Sequence, residues 1–389
     1  MTKQKMYRNI QNKFTELFHT KPNIYQAPGR INVIGEHTDY NEGLVLPAAI
    51  NKYMVFGVQK NKLNKFRFYS VDYDEYLEFD EIKKHKDVAL WSLYLLGVLA
   101  QFEKNSLALD GFDCVFGGDI PLGAGLSSSA ALASGFAFAI NDLSNFNLSS
   151  FDLVKIAQIA EHEYAGVMCG IMDQYASLFG KKDQLIQLDC KSNTHHYFPL
   201  KMNEYIFALV DTKVKHSLAS TEYNLRKHEC NEGIKFYQNF DSNITSLRNV
   251  DIKMIEEYKG QPNKTSYKRC KFVVEENERV KQASQALLKN DYIQLGKLIY
   301  QSHIGLQKLY EVSCTELDFL VEETHQMPQV LGSRMMGGGF GGCTLNLLEK
   351  DFTSHFEQII KAKYKAKFGI NANVYFISIS EGVKNIINN

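Results

Sequence analysis

Gly123-Ala124-Gly125-Leu126-Ser127-Ser128-Ser129-Ala130, running on into Ala131-Leu132-Ala133-Ser134-Gly135-Phe136, decides how this chain is read. Two glycines let the backbone turn sharply and approach a ligand closely. The serine triplet supplies N-caps and hydroxyls at the start of an apolar helix, whose first N–H groups have no intrahelical acceptor. Such a start, at the positive end of the helix dipole, is a phosphate site. Residues 112–116 upstream read as a strand, with Gly117-Gly118 and Pro121 between, so the local order is strand, glycine loop, helix. An ordinary capped core helix has much the same composition, and only the rest of the chain separates the two.

Composition sets the outer bounds. A chain of 389 residues exceeds the roughly 250–300 at which a single core stops growing, so two domains are expected. The apolar share of 44% and charged share of 23% are ordinary for a globular protein. Lys plus Arg and Asp plus Glu number 44 each, leaving no net basic field for nucleic acid or a membrane surface. The 7 cysteines are scattered, odd in number and without a CxxC, against a disulfide framework or zinc site and for a reducing cytosol. His195-His196 lie near Cys190, but alternation through 194–200 makes them strand-surface residues rather than metal ligands. Met1-Thr2-Lys3-Gln4-Lys5-Met6 has no apolar segment behind its charges, and no apolar run is long enough to span a bilayer; a cytoplasmic location is expected.

Ile10, Phe14, Leu17 and Phe18 predict an amphipathic first helix. Strand-like runs follow at 52–59, 66–71 and 76–79, then a helix over 91–101 ahead of the strand and glycine loop. Another helix is predicted over 151–164, with Asp152 favouring its N-terminus. Beyond Asp183, strands are expected at 185–188, 195–200 and 206–210, and helices from 221 to about 323. A strand at 343–348, a helix at 352–368 and a strand at 374–379 close the chain. The pattern is mixed α+β, without the βαβα alternation of a doubly wound sheet. Gly337-Gly338-Gly339-Phe340-Gly341-Gly342 matches GxGxxG formally but precedes the strand-like Thr344-Leu345-Asn346-Leu347, so the dinucleotide fingerprint fails on context. Neither glycine cluster carries the Gly-Lys-Ser/Thr of a P-loop. A boundary near residue 190 divides the chain into 1–190 and 191–389.

Two glycine clusters more than 200 residues apart predict two loops closing on one polyphosphate. A third segment joins them, Ala27-Pro28-Gly29-Arg30-Ile31-Asn32-Val33-Ile34-Gly35-Glu36-His37-Thr38-Asp39-Tyr40. It packs Arg30, Glu36, His37, Asp39 and Tyr40 into a turn between apolar strands. Charges so dense are costly to bury without partners, which favours a polar ligand site over a salt-bridged turn. Together the segments resemble the galactokinases of the GHMP kinase superfamily. Residues 30–40 look like the galactokinase signature, 121–130 like the phosphate loop and 336–344 like the third superfamily motif. Gly170-Ile171-Met172-Asp173-Gln174 is similar to a further hallmark, and residues 91–97 and Glu222-Tyr223 fall in the expected order. The resemblance runs through essentially the whole chain. Met336 departs from it, standing where the family usually carries threonine.

The resemblance implies a two-domain α+β fold of the GHMP kinase type, an N-terminal α/β domain and a C-terminal α+β domain with the active site in the cleft between them. It implies phosphorylation of galactose at its anomeric C1 hydroxyl by ATP with Mg²⁺. Asp173 matches the family's catalytic carboxylate and Arg30 its catalytic arginine. Glu36, His37, Asp39, Gly170 and Tyr223 match sugar-binding positions. Gly123, Gly125, Leu126, Ser127, Ser128 and Ser129 match the nucleotide-phosphate loop, Ser129 and Glu161 the Mg²⁺ ligands, and Trp91 and Tyr94 the nucleotide-base pocket. The residue types suit the chemistry: a sugar hydroxyl needs a proton acceptor, and an adjacent arginine offsets charge on the transferring phosphoryl group. Plainer roles stay open to them: Asp173 as a helix or turn cap, Glu161 on a solvated helix face beside Glu163, Trp91 and Tyr94 as core. Two other functions share these motifs, an N-acetylgalactosamine kinase and a non-catalytic galactose and ATP sensor acting on a transcriptional partner. The intact Ser127-Ser128-Ser129-Ala130 and the presence of Asp173 favour an enzyme, with no obligate protein partner, nucleic acid or membrane in view.

Overall fold

Most apolar runs of the first 120 residues zip into one sheet. In a computed structural model that describes residues 2–121, 123–214, 219–259 and 263–386, the early strands are β1 (Asn23–Asn32), β2 (Leu44–Val45), β3 (Pro47–Lys60), β4 (Phe66–Ser70), β5 (Glu75–Phe79) and β6 (Phe112–Gly118). Later come β7 (Gln184–Asp189), β8 (Thr194–Pro199), β9 (Tyr205–Asp211), β10 (Val330–Met335), β11 (Cys343–Glu349), β12 (Asn373–Ile377) and β13 (Lys384–Ile386). Leu122 of the glycine-loop run, and Leu218 ahead of Tyr223, lie outside the described residues.

The first sheet runs β13-β1-β3-β6-β4-β5, antiparallel throughout except for β4 beside β6. Side-chain alternation sends Met54, Phe56, Val58, Cys114 and Phe116 into the main core, and Tyr53, Val55 and Val115 onto helix α1 (Lys3–Phe18). Ile10, Phe14 and Phe18 of that helix are buried, as its periodicity predicted. The core face carries α2 (Leu90–Lys104), α3 (Ser128–Ser144), α4 (Ser150–Ala160) and α5 (Met172–Phe179). Helix α2 is buried almost all round between Trp91 and Phe102, the mark of an inner helix.

The second half holds the antiparallel sheet β10-β11-β9-β12 and six helices among the described residues: α6 (Ala219–Gln238), α7 (Ile252–Glu257), α8 (Lys264–Leu288), α9 (Tyr292–Gly305), α10 (Thr315–His325) and α11 (Thr353–Phe368). A small sheet β2-β7-β8 lies between the halves, and position 190 falls in its β7–β8 turn. The chain then returns at its end, where β13 pairs with β1 through Ile24 and Ile386. Ser149 and Asp152 form a capping box at the start of α4. The helix expected over 151–164 stops at Ala160 and continues as a π turn over Glu161–Ala165. His195 and His196 lie on β8, half-buried and exposed, and the cysteines among the described residues are all free. Among the described residues no helix is long and apolar enough to cross a membrane.

Candidate active site

The two glycine clusters meet. Gly125 and Gly337 both have left-handed backbones (φ 74° and 79°), and a Cβ on either would sit 3.1 Å from the Met336 carbonyl oxygen or 3.3 Å from that of Gly125. Residues lacking a side chain are what this backbone approach requires. Met336 buries its side chain in the main core, and its N–H bonds the Cys343 carbonyl at 3.0 Å, so this position presents backbone to the loop.

The serine triplet does not cap α3 as expected. Ser127 is its N-cap residue but stands in the left-handed region (φ 55°) and makes no side-chain cap. That turn aims its hydroxyl away from the helix, where it donates to Asp173 Oδ2 at 2.5 Å. The first N–H groups of α3 therefore keep their capacity for an anion.

Arg30, near the end of β1, and Asp173, in the first turn of α5, form a two-pronged ion pair. Nε meets Oδ1 at 2.6 Å and Nη2 meets Oδ2 at 2.9 Å, while Nη1 donates to the Gly125 carbonyl at 2.6 Å. Asp173 thus bonds a guanidinium and a serine rather than capping its own helix. Burial works against the Arg30 charge, but Asp173, Glu36 and Asp39 outweigh it and its pKa is raised.

The sugar-signature loop between β1 and β2 turns at Gly35 (φ 100°) and at His37, itself left-handed at φ 61°. It is docked from the second half: Gly35 N–H donates to Glu276 at 2.9 Å and Leu44 N–H to Asn277 at 2.7 Å. Glu36 accepts the Gly337 N–H at 2.8 Å and the Arg334 guanidinium at 3.1 Å. His37 Nδ1 bonds the Tyr40 hydroxyl at 2.8 Å, which in turn meets the Tyr310 hydroxyl at 2.8 Å. Burial, then the charge of Arg226, holds the His37 imidazole down to about 3, so it is neutral. Asp39 is pushed up to about 7, first by burial and then by Asp173. It packs on Gly170, where a Cβ would lie 2.1 Å from Asp39 Oδ2. Tyr223 on α6 sets its ring 4.9 Å from Tyr40 and 5.4 Å from His37, centroid to centroid.

Glu161 is the buried first residue of the π turn, a distortion that recurs at functional sites. Its Oε1 accepts from Gln174 at 2.7 Å, and the Ser129 hydroxyl lies beside it. Burial, then Asp173, lifts its carboxyl to about 8. A buried carboxylate with a hydroxyl beside it, in want of a cation, is a hard-oxygen set that fits Mg²⁺, which keeps water and phosphate as its other ligands. Tyr94 lies near Ser129. Trp91 donates its indole N–H to Glu75 at 2.7 Å and packs edge-on against Phe116.

A cleft of about 330 Å³ gathers these motifs: Arg30, Glu36, His37 and Asp39, the loop residues Gly123 and Gly125 to Ser129, Glu161, Asp173, Tyr223, Gly337 and Gly338. Gly170 lies just beneath it under Asp39, whereas Trp91 and Tyr94 are outside the lining. A larger cavity of about 560 Å³ beside α8 mixes Arg248, Arg279 and Lys281 with Asp251, Glu275 and Glu278 and brings no such set together, so volume alone does not choose the site.

This arrangement has relatives. Three family profiles match: the galactokinase galactose-binding signature over residues 12–60, the GHMP kinases N terminal domain over 94–181, and the GHMP kinases C terminal over 283–364. The Thermotoga maritima galactokinase is 43% identical over 361 residues, 93% of this chain and 99% of that protein. This chain belongs to the galactokinases of the GHMP kinase superfamily. The Clostridium acetobutylicum galactokinase is 38% identical, over 97% of this chain and 98% of its own length. The Lactococcus lactis galactokinase complexed with galactose superposes with a TM-score of 0.94 at 33% identity, covering 97% of this chain and 99% of that one. The Methanococcus jannaschii mevalonate kinase, at a TM-score of 0.63, 16% identity and coverage of 93% and 99%, shares the fold alone. The enzyme is an ATP-using galactokinase of mixed α+β fold. Arg334, Glu276 and Tyr310 escaped the sequence reading. Arg334 stands three places before Gly337, a lone arginine whose sequence context gives no sign of its partner Glu36.

Proposed function

We propose that the cleft phosphorylates galactose on its anomeric C1 hydroxyl, with Asp173 and Arg30 as the catalytic pair. The observation that carries this is the pairing of Arg30 with Asp173 beside the uncapped start of α3. The sugar oxygen attacks the γ-phosphorus of ATP, the bond to the bridging oxygen breaks, and ADP leaves. Asp173 orients the hydroxyl and receives its proton, held in place by Arg30 and Ser127. Arg30 also faces the transferring group and offsets its charge; in a loose transition state such positioning dominates. Residues Gly123 to Ser129 and the N-terminus of α3 hold the phosphates. Ser129 and Glu161 would hold Mg²⁺, which supplies charge neutralisation for the triphosphate when bound. Glu36, His37, Asp39 and Tyr223 offer two carboxylates, a neutral imidazole and a phenol to the sugar hydroxyls. Such a set discriminates epimers through hydrogen bonds left unpaired by the wrong one.

ADP release with galactose and with glucose tests the reading. Galactose should lead by at least about a hundredfold in kcat/KM on that hydrogen-bond argument. Asp173→Asn, nearly isosteric, should stay folded and lose nearly all turnover. Comparable efficiency on glucose would remove the substrate assignment, and near-normal turnover of the Asn variant would remove the role of Asp173. N-acetylgalactosamine run in parallel separates the two related sugars.

A further inference from the structure

Arg334 has no exposed surface, and it is the last residue but one of β10, at the doorway to the glycine turn. Its ion-pair partner is Glu36 of the sugar loop, at 3.1 Å. The remaining donors go to backbone carbonyls: Nε to Val33 at 2.9 Å, Nη1 to Met335 at 2.6 Å, and Nη2 to Asn32. Glu36 receives this guanidinium on Oε1, the oxygen that also accepts the Gly337 N–H at 2.8 Å, while its Oε2 accepts Asn32 Nδ2 at 3.2 Å. One planar fork therefore spans the end of β1, the sugar loop and the entry to the phosphate-side glycines. A guanidinium is costly to bury, and a packed apolar residue would serve a purely space-filling role as well or better. What the fork adds over a lysine point charge is fixed direction.

We propose that Arg334 is a positioning residue for phosphoryl transfer, holding Glu36 against the Gly337 N–H and thereby coupling the sugar loop to the phosphate-side glycine turn. It lies outside the cleft lining and acts through Glu36. The inference rests on the reading of Glu36 as a sugar-side group. Its consequence is that galactose and nucleotide tighten each other, because each braces one end of the same hydrogen-bonded junction and the coupling is reciprocal.

The test is calorimetric titration of galactose with and without a non-hydrolysable ATP analogue, alongside steady-state kinetics, on wild type and Arg334→Lys. The wild type should bind galactose several-fold tighter with the analogue present. In the lysine variant that tightening should vanish and galactose KM should rise at least tenfold, ATP KM at saturating galactose should rise by no more than the several-fold coupling lost, and a cooperative melt shows the fold intact. A wild type without mutual tightening overturns the proposal, as does a lysine variant with galactose KM within twofold and tightening retained. Should the lysine variant fail to fold, Arg334→Gln combined with Glu36→Gln removes both charges together. Persistence of the tightening in that pair overturns the proposal, and its loss supports it. Absence of galactose-dependent ADP release by the wild type would instead overturn the functional reading, so the two failures are told apart.

Discussion

Gly170 shows how much one hydrogen atom decides. A Cβ there would fall 2.1 Å from Asp39 Oδ2 and 2.8 Å from Asp39 Cβ, so any side chain displaces the carboxylate. Gly170→Ala should raise galactose KM at least about tenfold, because small misplacements of positioning groups cost that much, and leave ATP KM nearly unchanged. Steady-state kinetics varying each substrate in turn check this; equal losses on both sides would mean the segment supports the whole cleft instead. Asp39 also carries a pH signature. Its carboxyl is raised from an ordinary 3.8 to about 7, by burial and then Asp173, so the folded chain holds that proton more tightly than the unfolded one. The stability this contributes is complete below about pH 4 and is lost as pH rises through about 7. The ligand-free wild type should melt progressively lower from pH 5 to pH 8, and Asp39→Asn should flatten the slope. A variant with the same slope as wild type would assign the proton elsewhere. Residues of this kind were legible because their chemistry is unusual: Arg30, Asp39 and Asp173 sit in short motifs dense in charge and glycine. Arg334 was not, since a single arginine in a strand gives no hint that its partner is almost 300 residues away.

At the scale of elements, the two helix starts illustrate different uses of serine. Ser149 caps α4 in a reciprocal box with Asp152, and its loss should cost about 1 kcal/mol of stability. Ser127 occupies the corresponding place on α3 yet spends its hydroxyl on Asp173. Ser127→Ala should therefore shift the melting midpoint by less than Ser149→Ala does, and lower kcat several-fold where the Ser149 variant leaves it unchanged. Thermal melts and turnover on the two variants decide it; a reversed order would show that Ser127 acts as a cap. This contrast was invisible in the sequence because Ser-x-x-Asp spacing announces a capping box, whereas a left-handed N-cap depends on tertiary contacts. The same limit applies to α5, only eight residues long, and to β10, where Gly332, Ser333 and Arg334 interrupt the apolar pattern. Segments with a clear apolar pattern, such as α1 and β11, needed no tertiary information to be placed.

Over the whole molecule the division near residue 190 follows sheets more than sequence. Two sheets lie largely on either side of it, but the third is cut between β7 and β8, and β13 crosses back to the edge of β1. The main core is likewise shared: Phe56, Leu99 and Phe136 from the first half belong to one cluster with Leu209, Leu295 and Leu347 from the second. Sequence patterning places elements one at a time and carries no record of such pairing, so a change of texture near residue 190 says nothing of what crosses it. The energetic consequence is direct. A chain ending at residue 190 would leave β7 without β8 and β1 without its outer neighbour, and would expose apolar surface that the second half covers; each fully buried Leu or Phe so uncovered forfeits about 1.5–3 kcal/mol. Against a typical net stability of about 5–15 kcal/mol, a few such side chains are enough. The fragment 1–190 expressed alone should lack a cooperative melt and dispersed amide resonances, and the full chain should unfold in one transition that galactose moves upward as a unit. The experiment is calorimetry of the full chain with and without galactose, beside spectroscopy of the fragment. A cooperatively folding fragment, or a full chain melting in two steps with only one shifted by sugar, would mean that the halves are independent and that the shared core contributes little to holding the cleft together.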